Sequence, residues 1–410
     1  MSTSKSIAWS IWILASLFYA FQYILRVMPN LMLADLMQQF HIDATIFGQF
    51  SGVYYLGYAF MHLPLGIMLD RFGPRKVMTG CILLSVIGIL PIIFAEYWLY
   101  PVLGRLVLGI GSSAAILGTF KVIRMTFNEK SFTRMLSLSV TIGLMGAIYG
   151  GGPVSYLCSQ VGYKSVVEIF AVLGLVLALA TYLIVPEIKP ESGKGIISDL
   201  KAVFTNSKVV AFCCFAGCMV GPLEGFADVW GSAFLGQVYG LDPSIAKSLP
   251  SMIFVGMCFG APILSMIAEK TENYMACIIG AGTVMLVLFS VLILQTLSVR
   301  ELSISFIIIG ICCSYQILAI YKASTYVPER LVGLTTAVAN MIIMSFGYVF
   351  HSIIGYVVNV NGGPKVTQAL IYGLSVLPLS LSLGVLGFIL LIFQEKNRQA
   401  ALFGVLKQVA

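Results

Sequence analysis

Polar residues are sparse along this chain, and they separate long apolar runs that show no two-residue alternation. Most runs are near or above the roughly 20 residues that an α-helix needs to cross the hydrocarbon core of a bilayer. Continuous runs predict membrane helices, whereas the strands of a membrane barrel alternate apolar and polar residues. The pattern predicts an all-α polytopic membrane protein with twelve transmembrane helices, at about residues 8–29, 45–69, 76–95, 98–124, 134–158, 163–185, 208–236, 246–268, 274–297, 301–325, 332–359 and 366–393.

Composition supports the same class of protein. The 410 residues are 59% hydrophobic and 10% charged, and their mean hydropathy is +0.96. Soluble domains carry about 25% charged residues, so this chain is not expected to be one. The 40 glycines suit closely packed membrane helices. The nine cysteines fall in or beside apolar runs without a CxxC or Cys/His ligand spacing, which indicates small core residues and no metal site.

Positive charge is distributed unevenly between the predicted loops. Of the 24 Lys and Arg, 2 lie within the membrane interior (Arg26 and Arg105) and 4 lie near the connections that follow odd-numbered helices (Lys164, Lys247, Arg300 and Lys365), which leaves 18 on the side of the termini. By the positive-inside rule, both termini should be cytoplasmic. The net charge of +7 therefore reflects membrane orientation, and no nucleic-acid partner is expected. The predicted external loops contain no N-glycosylation sequon, which favours a bacterial inner membrane.

The longest polar stretch, residues 186–208, lies at the midpoint of the chain and divides it into six helices plus six. A faint internal repeat aligns Asp70 and Arg71 with Glu269 and Lys270, at an offset of 199 (269 minus 70). Repeated halves are a common plan of secondary transporters. The predicted organisation is an N-terminal six-helix bundle at 1–186, a cytoplasmic linker at 187–207 and a C-terminal six-helix bundle at 208–410.

The stretch LGIMLDRFGPRKVM, residues 65–78, concentrates charge between predicted helices 2 and 3, although the runs on either side are apolar. Gly66 should let a neighbouring helix approach closely, and Gly73 with Pro74 should force a tight turn. The charged side chains can hold anionic lipid headgroups or acidic groups on adjacent helices.

The spacing GxxxDRxGxRK in residues 66–76 resembles the loop 2–3 signature of the major facilitator superfamily. The segment RLVLGIGSSAA, residues 105–115, is similar to the helix 4 motif of that family, and the glycine-rich residues 143–157 resemble its helix 5 motif. The resemblance implies a latch that clasps the cytoplasmic ends of the two halves in one conformation and releases them in the other. The predicted latch residues are Gly66, Asp70, Arg71, Gly73 and Arg75.

Charged residues inside predicted membrane helices are costly and should face the interior of the bundle. Arg26 shares a helical face with Tyr19 and Tyr23, although a position near the end of its helix also allows it to extend towards the interface. Glu224 and Asp228 lie four residues apart in predicted helix 7 and should share a face. Because the offset of 199 matches Glu224 to position 25, we expect Arg26 to face the two carboxylates across a central cavity.

Other polar residues are candidates for the walls of this cavity, although each alone is more often a packing residue. Asn340 shares a face of predicted helix 11 with His351, and Arg105 has either a proton-coupling or a helix-packing role in the family motif that it resembles. Aromatic walls with a few polar anchors are typical of a small-molecule site. The predicted substrate-binding residues are Arg26, Tyr23, Tyr19, Tyr58, Glu224, Asp228, Gln316 and Asn340, and the predicted proton-coupling residues are Glu224, Asp228 and Arg105.

The sequence predicts a secondary active transporter and no enzyme, because it contains no nucleophile–base spacing, Walker motif or metal cluster. One intramembrane cation with two carboxylates favours a small organic anion or zwitterion, such as an amino acid, a short peptide or a carboxylate metabolite, moved by alternating access in symport with protons. Export of amphipathic drugs by proton antiport and facilitative uniport are the alternatives. The expected partners are the substrate, protons and the lipid bilayer; no cofactor is expected, and the expected state is a monomer.

Overall fold

The structure is a computed structural model that describes residues 5–187 and 196–409, so the centre of the predicted linker lies outside the described residues. Within these two ranges every regular element is helical. Eleven segments of the described residues are long and apolar enough to cross a membrane. The predicted all-α membrane fold is therefore confirmed.

The segment Ala44–Phe94 contains two crossings. Its 51 residues would form a helix about 75 Å long, more than twice the roughly 30 Å of a bilayer core. The helix is interrupted at Gly73, whose φ of 78° and ψ of 160° are not helical, and Pro74 follows directly. Glycine adopts a positive φ without the steric cost that a Cβ would add. This turn brings the number of crossings in the described part of the chain to twelve, in agreement with the prediction.

We number the twelve crossings in chain order. Two shorter helices connect crossings, Leu33–Phe40 before the second crossing and Ile196–Phe204 in the linker, and the last helix continues beyond its crossing to Val409. The crossings are α1 (Ser6–Leu31), α2 (44–72), α3 (74–94), α4 (Leu99–Thr126), α5 (Arg134–Val161), α6 (Tyr163–Ile184), α7 (Ser207–Val238), α8 (Pro243–Thr271), α9 (Tyr274–Ile293), α10 (Val299–Ser324), α11 (Glu329–Val360) and α12 (Thr367–Gln394).

The helices run between two ends of the molecule. The linker end, as we call it, carries the Gly73 turn and the linker helix Ile196–Phe204. The far end carries the connections between α1 and α2 and between α7 and α8. The assignment of the linker end to the cytoplasm remains a prediction.

We call α1–α6 the first bundle and α7–α12 the second, following the predicted division of the chain. Glycines on α5 bring that helix against helices of both bundles. A Cβ added to Gly146 would lie 2.2 Å from the carbonyl oxygen of Ala20 on α1. A Cβ added to Gly151 would lie 2.2 Å from Oγ of Ser251 on α8. At Gly146 the added atom would collide with backbone, so only glycine fits there. At Gly151 the side chain of Ser251 would have to move, and this close approach joins the two bundles.

The first and second bundles also meet at the far end through α2 and α11. A Cβ added to Gly48 on α2 would lie 2.3 Å from the carbonyl oxygen of His351 on α11, so the two backbones are in direct contact. Closer to the far surface, Nδ2 of Asn359 donates a hydrogen bond to Oδ2 of Asp43 at 3.0 Å. These contacts close the α2–α11 interface at its far end.

The helices α1 and α7 make a second contact between the bundles, also towards the far end. Oγ of Ser232 donates to the carbonyl oxygen of Asn30 at 3.0 Å. The ring of Phe47 meets the buried ring of Trp230 edge to face, with centroids 5.7 Å apart. Hydrogen bonds and aromatic packing therefore both close the far end around the residues of the candidate site.

Candidate functional site

Arg26 joins the two bundles through two carboxylates of α7. Its Nη2 donates to Oε2 of Glu224, and its Nε donates to Oδ2 of Asp228 at 2.6 Å. The three side chains are 6%, 0% and 1% exposed. Removing one partner of such a buried ion pair leaves an uncompensated charge, which is strongly destabilising. The structure thus brings together the three residues that the sequence expected to face one another, and Arg26 does not extend towards the membrane interface.

The end of α1 explains how Arg26 is held. Regular α-helix stops at Val27, and a 3₁₀ turn with Pro29 follows. Pro29 has no N–H, so the carbonyl oxygen of Leu25 loses the donor that a continuing helix would supply. Nη1 of Arg105 donates to this oxygen at 2.9 Å, and its Nη2 donates to the carbonyl oxygen of Arg26 at 3.3 Å. This geometry corresponds to the helix-packing alternative for Arg105.

The carboxylates lie on an unusual part of α7. Its α-helix ends at Gly217, and residues Pro222–Trp230 form a π-helix with i→i+5 hydrogen bonds before α-helix resumes. π-Helical segments are rare in proteins, and those that occur often lie at functional sites. The sequence predicted the shared face of the two acids but not this change of register. Its only signals were the glycines and the proline around them.

Hydroxyl groups from neighbouring helices stabilise the interruption of α7. The hydroxyl of Tyr315 on α10 donates to the carbonyl oxygen of Ala216 at 2.6 Å. Oγ of Ser380 on α12 donates to the carbonyl oxygen of Cys218 at 2.7 Å. Carbonyls at a helix end need such partners because no turn of helix follows to supply them. The acids are therefore held by a fixed break in the helix.

Tyr55 completes the buried network, and the sequence reasoning missed it. Its hydroxyl donates to Oδ2 of Asp228. The guanidinium carbon of Arg26 lies 5.2 Å from the ring centroids of both Tyr23 and Tyr55, which places the cation between two aromatic faces. The sequence predicted Tyr58 as the wall residue from α2, whereas Tyr55 is the tyrosine of α2 that lies towards the second bundle. Only the packing of α2 against that bundle identifies it.

The other predicted wall residues lie around this network but do not bond to it. Tyr19 packs edge to face on Tyr23, with centroids 5.2 Å apart. Tyr58 packs on the ring of His62, with centroids 4.7 Å apart. Gln316 is buried at its Nε2, which has no hydrogen-bond partner, and Asn340 is half-buried. The hydrogen bonds of the central charges go to one another and to Tyr55.

Each central acid keeps one oxygen free. Oε1 of Glu224 and Oδ1 of Asp228 are buried and have no hydrogen-bond partner. A buried acceptor without a donor costs about 1–3 kcal/mol. These two atoms are therefore positioned to accept a proton or a hydrogen bond from a bound cation.

The predicted latch residues lie at the linker end, and their contacts are with residues of the first bundle. Oδ1 of Asp70 accepts from Nζ of Lys121 on α4, 2.8 Å away and in the same bundle. The guanidinium of Arg75 lies 4.2 Å from the ring centroid of Tyr182 on α6. A Cβ added to Gly66 would meet no atom within 4 Å, so the predicted close approach of a helix there is wrong for this conformation.

Two further cations of this stretch have simple surroundings. Lys76 donates to the carboxylate of Glu187, the first residue of the predicted linker, and this contact lowers the pKa of that acid. Arg71 is exposed and lies 5.6 Å from the ring centroid of Phe72 beside it. Neither contact crosses to the second bundle.

A buried charge network joins α1 to α7 within a chain whose described residues make twelve membrane crossings. The family model of the Major Facilitator Superfamily matches residues 11–352. The chain belongs to that superfamily and is a secondary transporter that works by alternating access, not an enzyme.

Curated relatives are similar to this chain at low identity. A nitrite extrusion protein of Bacillus subtilis (strain 168) is 24% identical over 195 residues, which cover 45% of this chain and 46% of that protein. The chain thus aligns with less than half the length of that relative. The uncharacterized transporter YybO of the same organism is 23% identical over 390 residues, which cover 86% of this chain and 88% of that protein.

Solved structures show the same fold. A nucleoside transporter, NupG, crystallised as a mutant, gives a TM-score of 0.77 at 15% identity and covers 94% of this chain and 99% of its own. A bacterial homolog of the human lysosomal transporter Spinster, in an inward-facing and unoccupied conformation, gives a TM-score of 0.71 at 17% identity. The match covers 94% of this chain and 98% of that chain. A D-xylose–proton symporter gives a TM-score of 0.70 at 15% identity, and the match covers 92% of this chain and 97% of that chain. At these identities the likeness supports the fold alone.

Proposed function

We propose that this transporter moves a small organic anion or zwitterion in symport with protons, and that Arg26 binds the carboxylate of the substrate. One observation carries the proposal. Arg26 of the first bundle is shared by two buried carboxylates of the second, and each carboxylate keeps one oxygen free. The site therefore offers both a cation for an anionic group and acceptors for a proton or an amine.

The guanidinium of Arg26 suits a carboxylate ligand. Its planar fork can make two parallel hydrogen bonds to one carboxylate, and it stays charged at any physiological pH. In this conformation Glu224 and Asp228 occupy the donors Nη2 and Nε. A substrate carboxylate would take the place of one of these acids.

The charge of the network explains why a proton or an amine should accompany the substrate. The ionised forms of Arg26, Glu224 and Asp228 sum to −1, and a substrate carboxylate alone would bring the buried charge to −2. Buried charge without compensation is strongly unfavourable. A proton on Glu224 or Asp228 restores −1, and so does a substrate ammonium group bound at the free oxygens. One of these acids therefore carries the coupling proton or holds the amine.

The position of the network links binding to alternating access. Arg26 lies on α1 and its partners lie on α7, so the ion pairs tie the first bundle to the second. A substrate that displaces Glu224 or Asp228 removes one of these ties. Binding then changes the balance between conformations, because a ligand shifts an equilibrium by its differential affinity for the two states.

A binding experiment on the purified protein tests the proposal. A thermal-shift screen against carboxylate metabolites and amino acids identifies a ligand, since a ligand that binds only the folded state raises apparent stability. Its affinity is then measured between about pH 8 and pH 6. For one coupled proton, affinity should improve by up to about tenfold per pH unit as the pH falls. A pH-independent wild type would instead indicate a uniporter or a different coupling cation.

Variants of the network separate the roles. Arg26→Ala should weaken binding by more than about a hundredfold at every pH, because two charge-assisted hydrogen bonds are lost. Arg26→Lys should retain part of the affinity, and Glu224→Gln or Asp228→Asn should remove the pH dependence. Arg300→Ala, at an exposed arginine of the far end, is the control. Unchanged affinity in Arg26→Ala would take Arg26 out of the site, and stabilisation by a hydrophobic dye alone would favour a drug exporter.

We further propose that the protein resides in a bacterial inner membrane as a monomer, with both termini in the cytoplasm. The support is the uneven distribution of Lys and Arg between the predicted loops and the absence of glycosylation sequons. The orientation can be tested separately from the substrate, with a reporter at the C-terminus.

A further inference from the structure

A fully buried histidine lies at the interface that closes the far end. His351 on α11 is 0% exposed, and neither Nδ1 nor Nε2 has a hydrogen-bond partner. A neutral imidazole carries one donor and one acceptor, and buried groups of this kind are normally paired. His62 on α2 shows the ordinary case, because its Nδ1 lies 3.2 Å from the carbonyl oxygen of Tyr58. The unpaired state of His351 therefore calls for an explanation.

His351 is held in place by backbone contacts from the first bundle. The carbonyl oxygen of His351 would lie 2.3 Å from a Cβ added to Gly48, and its own Cβ would lie 3.1 Å from one added to Gly52. The ring stacks on Tyr55, with centroids 5.5 Å apart and an interplanar angle of 29°. Closure of the far end is thus what removes water from this imidazole.

The charged and titratable groups around His351 come from four other helices. Arg26 on α1 and Arg105 on α4 act on the ring electrostatically with their positive charge. Tyr55 on α2 covers one face and directs its hydroxyl to Asp228 on α7, whose Oδ2 is already bonded to Arg26. A proton on His351 would add a third cation to this interface without an acceptor for either N–H. The closed far end therefore accommodates the neutral ring only.

From this arrangement we propose that His351 is a proton-binding group of the transport cycle that is charged only when the far end is open, so that its protonation drives the far end to open. It is a site distinct from the carboxylates of α7, and the proposal does not depend on the identity of the substrate. In the open conformation α2 and α11 separate, water reaches the ring, and both N–H groups of the imidazolium find acceptors.

The size of the effect follows from linkage. A hydrated imidazole titrates near pH 6.5, so at pH 5.5 the open state gains about tenfold in population relative to a closed state that binds no proton. At pH 8 the imidazole is almost entirely neutral in both states, so it hardly changes the population of the open state. The ratio of open to closed far ends should therefore rise about tenfold between pH 8 and pH 5.5, in the absence of any substrate.

Distance measurements across the far end test this directly. Spin labels are placed at Glu96→Cys, in the α3–α4 connection, and at Arg300→Cys, at the start of α10, in protein whose nine native cysteines are replaced by alanine; both positions are exposed and belong to different bundles. Label-to-label distances are measured by pulsed electron spin resonance at pH 8 and pH 5.5. We expect the population with the longer label-to-label distance, relative to the population with the shorter one, to rise about tenfold at the lower pH.

The matched variants decide the outcome. His351→Gln, which keeps a polar side chain but binds no proton in this range, should reduce the change to less than about twofold, and His62→Gln should retain it in full. Should His351→Gln fail to fold, His351→Asn replaces it with a smaller side chain. A full response that persists in either His351 variant would overturn the proposal and assign the pH response to the carboxylates. Because no substrate is present, failure here leaves the proposed substrate class untouched.

Discussion

The far end and the linker end hold their helices together by different interactions. At the far end, Gly48 lets two backbones from opposite bundles touch, and the neighbouring His351 is completely buried. At the linker end, Asp70 pairs with Lys121 inside one bundle, and the acid remains 57% exposed. One end is closed by steric fit between bundles, whereas the other carries an exposed ion pair within the first bundle.

This difference indicates how each end responds to change. A contact between backbones tolerates no added atom, since overpacking a close-packed interface costs about 1–3 kcal/mol. An exposed ion pair contributes about 0–1 kcal/mol and is screened by salt. Substitutions at the far end should therefore strongly disfavour the closed conformation, and substitutions at the linker end should have smaller effects, mainly on rate.

The largest effect is expected from Gly48→Val. The new side chain would collide with the carbonyl oxygen of His351, and the cost of about 1–3 kcal/mol converts to a loss of roughly 5-fold to 140-fold in far-end closure. Uptake by liposomes containing the purified protein should fall accordingly. Gly280→Ala on α9 is the control, because a Cβ there meets no atom within 4 Å. Equal uptake by Gly48→Val and wild type would show that the far end does not close in the transport cycle.

Arg105→Ala should have the next largest effect, on stability and on the site together. The carbonyl oxygens of Leu25 and Arg26 would lose their donors, at about 1–3 kcal/mol for each buried group left unpaired. We expect a lower midpoint of thermal unfolding and weaker substrate binding, because the end of α1 loses its support. Arg124→Ala, at an exposed arginine of the same helix, should change neither. A normal melting profile for Arg105→Ala would contradict the supporting role.

Asp70→Asn should act on rate with little effect on affinity. The predicted latch would bias a conformational equilibrium without contacting the substrate, and the stability change should stay below about 1 kcal/mol. Lys121→Gln should reproduce the slower transport, because it removes the same ion pair. Gly73→Leu should also slow it, since a leucine is strained at a φ of 78°. Normal flux in Asp70→Asn and in Gly73→Leu would reduce the stretch to an ordinary basic loop.

A reporter experiment sharpens the comparison without perturbing either end. A fluorescent protein that matures only in the cytoplasm, fused after Ala410, should be bright if the linker end faces the cytoplasm. A dark fusion with intact protein would place the far end there and reverse the direction in which the candidate site opens.

Much of the fold was predictable because membrane insertion imposes a simple rule. Every backbone polar group in the hydrocarbon core must be paired within its own segment, so long apolar runs become helices. The number of crossings and the turn at Gly73 followed from run length and from glycine beside proline. The predicted helix bounds left residues 70–75 outside the two helices, whereas in the structure the interruption is at Gly73.

The candidate site was only partly predictable. The cost of charge in a membrane singled out Arg26, Glu224 and Asp228 as residues that need partners, and the structure pairs all three. The same rule did not reveal Tyr55. The sequence of α2 contains several tyrosines and does not indicate which of them faces the second bundle. The rule also left the role of Arg105 open.

The sequence by itself determined how many helices form and which residues could not be left in contact with lipid, because both depend on the transfer of local groups from water to hydrocarbon. Only the tertiary structure decided the π-helical register of α7, the carbonyl partners of Arg105 and the unpaired burial of His351. These depend on contacts between residues that are far apart in the chain, often in opposite bundles. Their energies exist only once the two bundles have closed on each other, and no local pattern of residues contains them.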